Sequence, residues 1–497
     1  MSNDKRPSFG KRLDHTSEID LPSIARRVMI ENGFSPDFPE AVRADVAARI
    51  AQPHDDTSAR DLRPMLWSSI DNEESRDLDQ IEVSERLPNG DIRVLVGIAD
   101  VDAYVPAGSP ADLHAKDNTC SVYTGVHVFP MLPEVLSTDT TSLNADVDRH
   151  AVVIEYVVGP SGDIGQSDVY RARVRNRAKL DYDHVGAWLE GKGPAPSRVA
   201  GDKALQDQLR MQDEAAQRLR KMRHERGALD LETIEARAVA KDGKVVGLEL
   251  THKTRARELI EDFMIAANGV MARFLDEKGV SSIRRVVKSP ERWTRIVDLA
   301  AQLGEKLPEA PSSVALANFL SKRRAESPDT FADLSLSVVK LMGPGEYALE
   351  KAGVVHEGHF GLAVQDYTHS TAPNRRYADL VTQRLVKSVL VATKPPYDDE
   401  ALAQIASRCT QKENDARKVE RTMRKVAAAT FLSSRIGDVF DAIVTGVSPK
   451  GTFVRLVDPP AEGRVVRGEQ GLDVGDHLRV KLVDTEPTKG FIDLARA

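Results

Sequence analysis

The sequence has few cysteines and no long apolar run. Its 497 residues include only two cysteines, Cys120 and Cys409, which lie far apart in the chain. This count argues against a disulfide framework and against a cysteine-rich zinc site. The N-terminus is polar, and no apolar run approaches the roughly 18 residues that a membrane helix needs. We therefore expect a cytoplasmic protein without membrane contact.

The chain also lacks an excess of positive charge. Its 69 lysines and arginines are outnumbered by 76 acidic residues, which gives a net charge of −7. That total disfavours nucleic-acid binding, because a phosphate backbone attracts Lys and Arg. A nuclease that holds metal ions with carboxylates, however, is acidic at its centre and basic along its channel. The local distribution of charge therefore matters more than the sum.

Hydrophobic patterning divides the chain into three regions. Residues 1–59 space apolar side chains by three and four, which predicts a helical N-terminal domain, with a helix-turn-helix as one alternative. Residues 60–434 begin with Val- and Ile-rich segments between turn signals, which indicate a mainly antiparallel sheet, and continue largely as helices. Residues 435–497 are short strands split by glycine turns, which predict a five-stranded β-barrel of the OB type. The expected fold class is therefore α+β.

The most informative stretch is SIDNEESRDLDQ, residues 69–80. Asp71, Asp77 and Asp79 fall within nine residues, just before a predicted strand. Carboxylates on an irregular loop can bend back around one point, and Mg²⁺ takes oxygen ligands of this kind. A solvated acidic turn is the alternative, because Asp and Glu are common in loops. The cluster alone does not decide between the two.

Several segments in the same order resemble the RNB catalytic domain of the ribonuclease II/ribonuclease R family. They include DLRPMLWSSIDNEESRDLDQIEV (61–83), an acidic helix (255–275), YTHSTAPNRRYADLVTQRLV (367–386) and VERTMRK (419–425). The resemblance covers roughly residues 60–430, and the C-terminal barrel resembles an S1 RNA-binding domain. It implies a mixed, mainly antiparallel sheet surrounded by helices. It also implies processive 3′→5′ hydrolysis of single-stranded RNA to 5′-nucleoside monophosphates.

The resemblance assigns the acidic cluster to a metal site. Asp71, Asp77 and Asp79 align with three of the family's four active-site aspartates, and the expected catalytic residues are Asp79 and Arg375. Mg²⁺ is the expected ion, with Mn²⁺ as the alternative. Gln80 stands at the fourth aspartate position, where its neutral carbonyl attracts a cation less strongly than a carboxylate does. A catalytically weakened or inactive RNA-binding protein is therefore the main alternative to an active enzyme.

The resemblance also implies a set of RNA contacts. Arg375 aligns with an arginine at the terminal phosphate, where a planar guanidinium can grip oxygens and neutralise charge. Tyr123 aligns with a base-stacking tyrosine. The remaining candidates are Arg376, Tyr377 and Glu420. A core tyrosine, an exposed charge at a helix start and a plain surface helix are the alternatives for Tyr123, Arg376 and Glu420, respectively.

In the barrel, Lys450 and Phe453 lie on a strand that resembles the RNA-binding strand of S1 domains. The second aromatic residue expected on such a face is not evident, so we expect weak RNA affinity there. The expected partner is single-stranded RNA, with no obligatory protein partner and a monomeric state. A translation-associated interaction protein that uses the barrel and the helical N-terminus is the second alternative.

Overall fold

The computed structural model describes residues 19–52, 56–232, 236–241, 244–250, 253–354, 358–449 and 451–497. It opens with two helices, α1 (Leu21–Glu31) and α2 (Glu40–Ile50). Both helices were predicted from the apolar spacing. The apolar side chains of α1 pack against a long helix near the C-terminal barrel, and those of α2 pack against the core of the central sheet. Within the described residues this region forms no core of its own, so a separate domain at 1–59 stays a prediction.

A seven-stranded sheet forms the centre of the next region. The elements of this region, inside and outside the sheet, are β1 (Arg60–Asp61), β2 (Ser68–Asp71), β3 (Gln80–Arg86), β4 (Ile92–Ala99), α3 (Pro110–Asn118), β5 (Val122–Tyr123), β6 (Val128–Phe129), β7 (Asp148–Val158), β8 (Ile164–Arg175) and β9 (Ala178–Asp181). Strands β5 and β6 pair with each other in a separate two-stranded sheet. The strand order is β1-β8-β7-β4-β3-β2-β9. Only the outer pairs β1–β8 and β2–β9 are parallel. Strand β4 is central, as its apolar residues on both faces predict.

Helices and two small ladders follow the sheet. They are α4 (Tyr182–Leu189), α5 (Ser197–Ala200), α6 (Lys203–Glu225), β10 (Ala236–Lys241), β11 (Lys244–Leu250), α7 (Arg255–Glu277), β12 (Ser282–Val286), α8 (Trp293–Gln302), α9 (Ser313–Glu326), α10 (Pro328–Met342) and β13 (Glu346–Glu350). The sequence predicted mostly helices for this region, but β13 is a strand that pairs with β12. No local turn signal marks that ladder, because its strands lie far apart in sequence.

Helix α6 covers the edge of β3 that β2 leaves open. Gln208 accepts the backbone N–H of Ser84 at 2.9 Å and donates to the Ser84 carbonyl at 2.5 Å. One turn later, Gln212 donates to the carbonyl of Glu82 at 3.5 Å. The two amide side chains therefore satisfy backbone groups that a neighbouring strand would otherwise pair.

The C-terminal part combines two helices with a barrel. Its elements are α11 (Tyr377–Leu390), α12 (Asp399–Leu432), β14 (Val439–Ser448), β15 (Gly451–Leu456), β16 (Glu462–Arg467), β17 (His477–Glu486) and β18 (Phe491–Arg496). The barrel closes in the order β14-β15-β16-β18-β17, which confirms the predicted five-stranded architecture. The C-terminal end of α12 packs into the barrel core, and α1 packs on α12 before that end. Among the helices described, none is long and apolar enough to cross a lipid bilayer.

The turn between β7 and β8 depends on a glycine. Gly162 has φ of +86°, and a Cβ atom there would lie 2.0 Å from the carbonyl oxygen of Arg218 on α6. We expect Gly162→Ala to lower the free energy of unfolding by about 3 kcal/mol or more, measured by urea denaturation. The left-handed conformation and the forced shift away from α6 both contribute to this loss.

Gly191→Ala is the matched control for this substitution. Gly191 also has a positive φ, +71°, but a Cβ atom there would meet nothing within 4 Å. Only the conformational penalty of about 1–2 kcal/mol applies. Equal losses for the two variants would contradict close packing of the β7–β8 turn on α6.

Candidate active site

The three aspartates of the acidic cluster lie on or beside an irregular loop between β2 and β3. Asp71 ends β2, and its Oδ1 accepts the backbone N–H of Asn72 at 2.7 Å and the Ser75 hydroxyl at 2.9 Å. At the other end of the loop, the Ser142 hydroxyl accepts the backbone N–H of Leu78 at 3.0 Å. These contacts give the loop a defined shape.

Asp79 is the most deeply buried of the three, with 1% of its surface exposed. Its Oδ1 accepts the backbone N–H of Asn374 at 2.9 Å, and its Oδ2 lies 3.4 Å from Nε of Arg375. Oδ2 makes no hydrogen bond within the described residues. Burial raises the pKa of Asp79 to about 7, although the charge of Arg375 opposes the rise. Oδ2 is therefore available to a cation or to a hydrogen-bond donor.

The charge of Asp77 influences the ionisation of Asp71 and Asp79. Burial raises the pKa of Asp71, and the nearby charge of Asp77 adds to the rise. Asp77 also raises the pKa of Asp79. Mutual repulsion of this kind favours protons or a divalent cation among the carboxylates.

The donors present fit a hydrated magnesium ion. In the described part of the chain, no three His, Cys, Asp or Glu side chains are grouped closely enough to hold an ion by themselves. Mg²⁺ does not require such a cage, since it usually takes one or two carboxylates and completes its shell with water and phosphate oxygens. The buried Oδ2 of Asp79, which has no hydrogen-bond partner among the residues described, is an oxygen of the right kind.

Gln80 begins β3 directly after Asp79. It is 8% exposed, and its backbone pairs with Ile98 of the central strand β4. The fourth aspartate position is therefore occupied by a buried neutral side chain in the first register position of a regular strand.

The segment before α11 reaches the acidic loop from the far end of the chain. Asp379 of α11 is fully buried, and its Oδ1 accepts the backbone N–H of Ala372 at 2.8 Å. Asn268, on α7, accepts both the backbone N–H and the hydroxyl of Ser370 at 2.8 Å. These contacts hold the backbone so that Asn374 and Arg375 face Asp79.

Two residues that were predicted to bind RNA make hydrogen bonds within the protein that support the segment before α11. Tyr377 is 1% exposed, and its hydroxyl donates to Asp112 at 3.0 Å. Its assignment to RNA is wrong, because the side chain belongs to the core at the start of α11. Arg376 grips both carboxylate oxygens of Asp379, at 2.7 and 2.8 Å. An RNA contact by Arg376 stays a prediction, whereas its role in positioning the segment is visible.

Tyr123 links the acidic loop to helix α12. Its hydroxyl donates to Oδ2 of Asp77 at 2.9 Å, and its backbone N–H donates to Oε1 of Glu420 at 3.3 Å. Loss of solvent around the hydroxyl and the charge of Asp77 raise the pKa of Tyr123, so the group stays a neutral donor. The residue is nevertheless 41% exposed. The predicted stacking residue and Glu420 therefore lie beside the aspartates.

Positive charge continues along α12 beyond this contact. Arg421, Arg424 and Lys425 are exposed on the turns that follow Glu420. Such a run can attract a phosphate backbone towards the acidic loop.

In the barrel, Phe453 lies on β15 and is 38% exposed, as a base-stacking residue requires. Lys450 lies outside the described residues. An RNA contact by either residue stays a prediction.

Several supporting residues escaped the sequence analysis. Ser142, Asn268 and Asp379 hold the loop and the segment described above, and Glu82 is a fully buried acid two residues after Gln80. In the sequence, a buried polar residue of a helix or strand cannot be distinguished from a solvated one unless its hydrogen-bond partners are known. Here the partners come from distant parts of the chain.

Comparisons with known proteins agree with this arrangement. Residues 59–392 match the family model of the RNB domain, and residues 438–497 match that of the RNase II-type exonuclease C-terminal S1 domain. Ribonuclease R of Thermotoga maritima is 30% identical over 97% of this chain and 71% of that protein. Ribonuclease R 1 of Lactococcus lactis is 30% identical over 87% of this chain, which spans only 55% of that relative.

Solved structures share the fold. Mycoplasma genitalium RNase R in complex with ribose methylated single-stranded RNA superposes with a TM-score of 0.86, at 23% identity, over 96% of this chain and 78% of that one. Yeast Ssd1, a pseudonuclease, superposes with a TM-score of 0.69, at 17% identity, over 89% of this chain and 55% of that one. The fold therefore occurs in a ribonuclease and in a pseudonuclease.

The RNB match alone covers two-thirds of the chain, and the S1 match accounts for the barrel. Nucleases with this domain are in general metal-dependent. The chain therefore belongs to the RNB-domain family of ribonuclease II and ribonuclease R and carries a C-terminal S1 domain of the RNase II type.

Proposed function

We propose that this chain hydrolyses single-stranded RNA from its 3′ end, releasing 5′-nucleoside monophosphates one at a time. The observation that carries the proposal is the meeting of the acidic loop with the segment before α11. There a buried carboxylate oxygen of Asp79 has no hydrogen-bond partner in the part of the chain that the structure describes, and it lies 3.4 Å from the guanidinium of Arg375. Two opposite charges in a buried site, with one oxygen available, suit phosphodiester hydrolysis.

The acidic loop would hold the metal. Asp71, Asp77 and Asp79 offer carboxylate oxygens, and Gln80 offers a neutral carbonyl. When bound, Mg²⁺ supplies Lewis acidity towards water and phosphate oxygens, and Mn²⁺ accepts the same oxygen donors. Asp79 orients the attacking water through Oδ2, while the N–H of Asn374 stabilises the ionised form of its other oxygen.

Arg375 would stabilise the charge that develops on the scissile phosphate. Its guanidinium is 41% exposed yet lies beside Asp79, so it can face both the protein and the substrate. The planar group can donate two parallel hydrogen bonds to phosphate oxygens. Asn374 and Arg376 fix the backbone on either side of Arg375, which limits how far the guanidinium can move.

Tyr123 would stack on a base near the 3′ end. The hydrogen bonds to Asp77 and Glu420 fix the residue from both sides. Stacking does not depend on base identity, which suits an enzyme that degrades RNA of any sequence. The exposed cations of α12 would guide the backbone of the strand towards this position.

An inactive RNA-binding protein is the rival function. Gln80 favours it, because a neutral ligand weakens a cation site, and the fold also occurs in a pseudonuclease. Poly(A) that is labelled uniformly in one sample and at its 5′ end in another, incubated with the protein and Mg²⁺, separates the two. Mononucleotides and a ladder that shortens from the 3′ end, both abolished by EDTA, support the enzyme. A shifted band of intact RNA supports the rival.

Asp79→Asn should lower the cleavage rate by about 10²–10⁴-fold, because the neutral amide can neither hold the cation nor orient the water. Affinity for single-stranded RNA should stay within a few-fold of wild type, measured by filter binding. Asp298→Asn, on the exposed face of α8, is the control and should change neither quantity. Wild-type cleavage by Asp79→Asn would remove Asp79 from the reaction.

Tyr123→Ala should lengthen the smallest end product by one or more nucleotides, because short products lose their last stacking contact. Tyr123→Phe keeps the ring but loses the hydrogen bond to Asp77, so its end product should match that of wild type. Product length is read on a sequencing gel after complete digestion. If the two variants gave the same products, the ring would have no stacking role.

A further inference from the structure

A cavity of about 650 Å³ opens between α6, α7 and the segment that leads to α11. None of the three aspartates of the acidic loop lines it, and neither does Arg375. Its volume lies within the range of roughly 300–1,000 Å³ that is typical of small-molecule sites. The cavity is therefore large enough for a ligand of the size of a nucleotide.

Two arginines that line the cavity have no acidic partner. Arg226, at the end of α6, and Arg273, on α7, form no ion pair and no side-chain hydrogen bond within the part of the chain that the structure describes. Arg273 is nevertheless half-buried. A guanidinium in such a position is normally paired with an anion, because its partial desolvation is otherwise uncompensated.

A third arginine of the cavity has a buried N–H group without a partner. Arg223, on α6, is 6% exposed and forms an ion pair with Asp262 of α7, which also lines the cavity. Its Nε makes no hydrogen bond among the residues described. A buried donor of this kind normally finds an acceptor, which a ligand in the cavity could supply.

Helix α9 adds main-chain donors to the same cavity. Its first residue, Ser313, lines the cavity. The hydroxyl of Ser312 accepts the backbone N–H of Ala315 at 3.2 Å, whereas the N–H of Ser313 donates to no described residue. The start of this 14-residue helix attracts anions, because its first N–H groups lack partners within the helix and its dipole is positive there.

The uncharged part of the lining suits an aromatic base. Phe360 and His359 contribute rings, and Leu219, Met222 and Ile265 contribute apolar side chains. Burial lowers the pKa of His359 to about 4, so its ring is neutral at pH 7. Neutral and apolar surfaces of this kind can pack against the π-face of any base.

Acidic residues in the lining restrict the charge of the ligand. Asp262 is paired with Arg223, which leaves Asp163 and Asp366 in the wall of the cavity. These carboxylates can accept hydrogen bonds from the amino group of a base, but they repel the successive phosphates of an RNA strand. The mixed lining therefore favours a ligand with one phosphate and one base.

We propose that this cavity binds a nucleoside 5′-monophosphate. The phosphate would lie against the three arginines and the start of α9, and the base against Phe360 and His359. The inference rests on the proposed function, because that reaction would release nucleoside monophosphates as its product. The cavity would then hold product at a site that is separate from the acidic loop.

Equilibrium dialysis of AMP against the intact chain tests the inference, in EDTA so that no metal ion recruits the phosphate. Arg273→Gln removes the charge of a guanidinium that has no partner in the protein, so affinity for AMP should fall at least tenfold, about 1.4 kcal/mol. Arg295→Gln is the control, because Arg295 is an exposed arginine of α8 that does not line the cavity. Its affinity should stay within twofold of wild type.

Further measurements locate the nucleotide and identify its parts. Arg375→Gln should bind AMP within twofold of wild type, since Arg375 lies outside the cavity. Adenosine and inorganic phosphate each offer half of the ligand and should bind at least tenfold more weakly than AMP. The melting temperature without ligand controls for folding, and AMP should raise it more in wild type and in Arg295→Gln than in Arg273→Gln.

Wild-type affinity for AMP in Arg273→Gln would overturn the inference. Loss of AMP binding in Arg375→Gln would overturn it as well, because the nucleotide would then occupy the active site. Inorganic phosphate that binds as tightly as AMP would contradict the assignment of a base to the cavity. A chain that degrades poly(A) but binds no AMP loses only this inference, whereas one that binds AMP as expected and leaves poly(A) intact loses the proposed function.

Discussion

The contact between Asp79 and the backbone of Asn374 holds the whole site together. It joins residues that are 295 positions apart and brings Arg375 beside a buried carboxylate. Asp379 supports this contact, because its carboxylate accepts hydrogen bonds from the backbone N–H of Ala372 and from the side chain of Arg376. Without these contacts the buried carboxylate of Asp79 would lose the cation that lies beside it, and repulsion from the neighbouring carboxylates would be less opposed.

The charge distribution of the chain follows from this arrangement. Acidic side chains are grouped in the loop between β2 and β3, whereas exposed cations lie on α12 after Glu420. The net charge of −7 therefore says little about RNA, because the acids and the bases act in different places. Gln80 places a neutral side chain at the end of the loop, and Glu82 adds a fully buried acid two residues further along β3.

The parts of the molecule that could be identified from the sequence are those whose signals lie close together in the chain. The acidic loop, Arg375 and the five-stranded barrel each lie in one continuous segment with its own turn signals or motif. The error at Tyr377 has a different cause, since a tyrosine at the start of a helix has the same pattern whether it faces a groove or the core. Only the contact of Tyr377 with Asp112, on α3, shows that its side chain faces the core. The sequence did not identify Glu82 as buried for the same reason, because its neighbours come from β2 and α6.

We infer that the acidic loop holds a divalent cation beside Arg375. The decisive experiment is anomalous diffraction from crystals grown with Mn²⁺ and a short RNA. We expect a peak within roughly 2 Å of carboxylate oxygens of the loop, with the 3′-terminal phosphate on the same side as Arg375. A peak remote from Asp71, Asp77 and Asp79, or RNA bound with no ion at the loop, would contradict it.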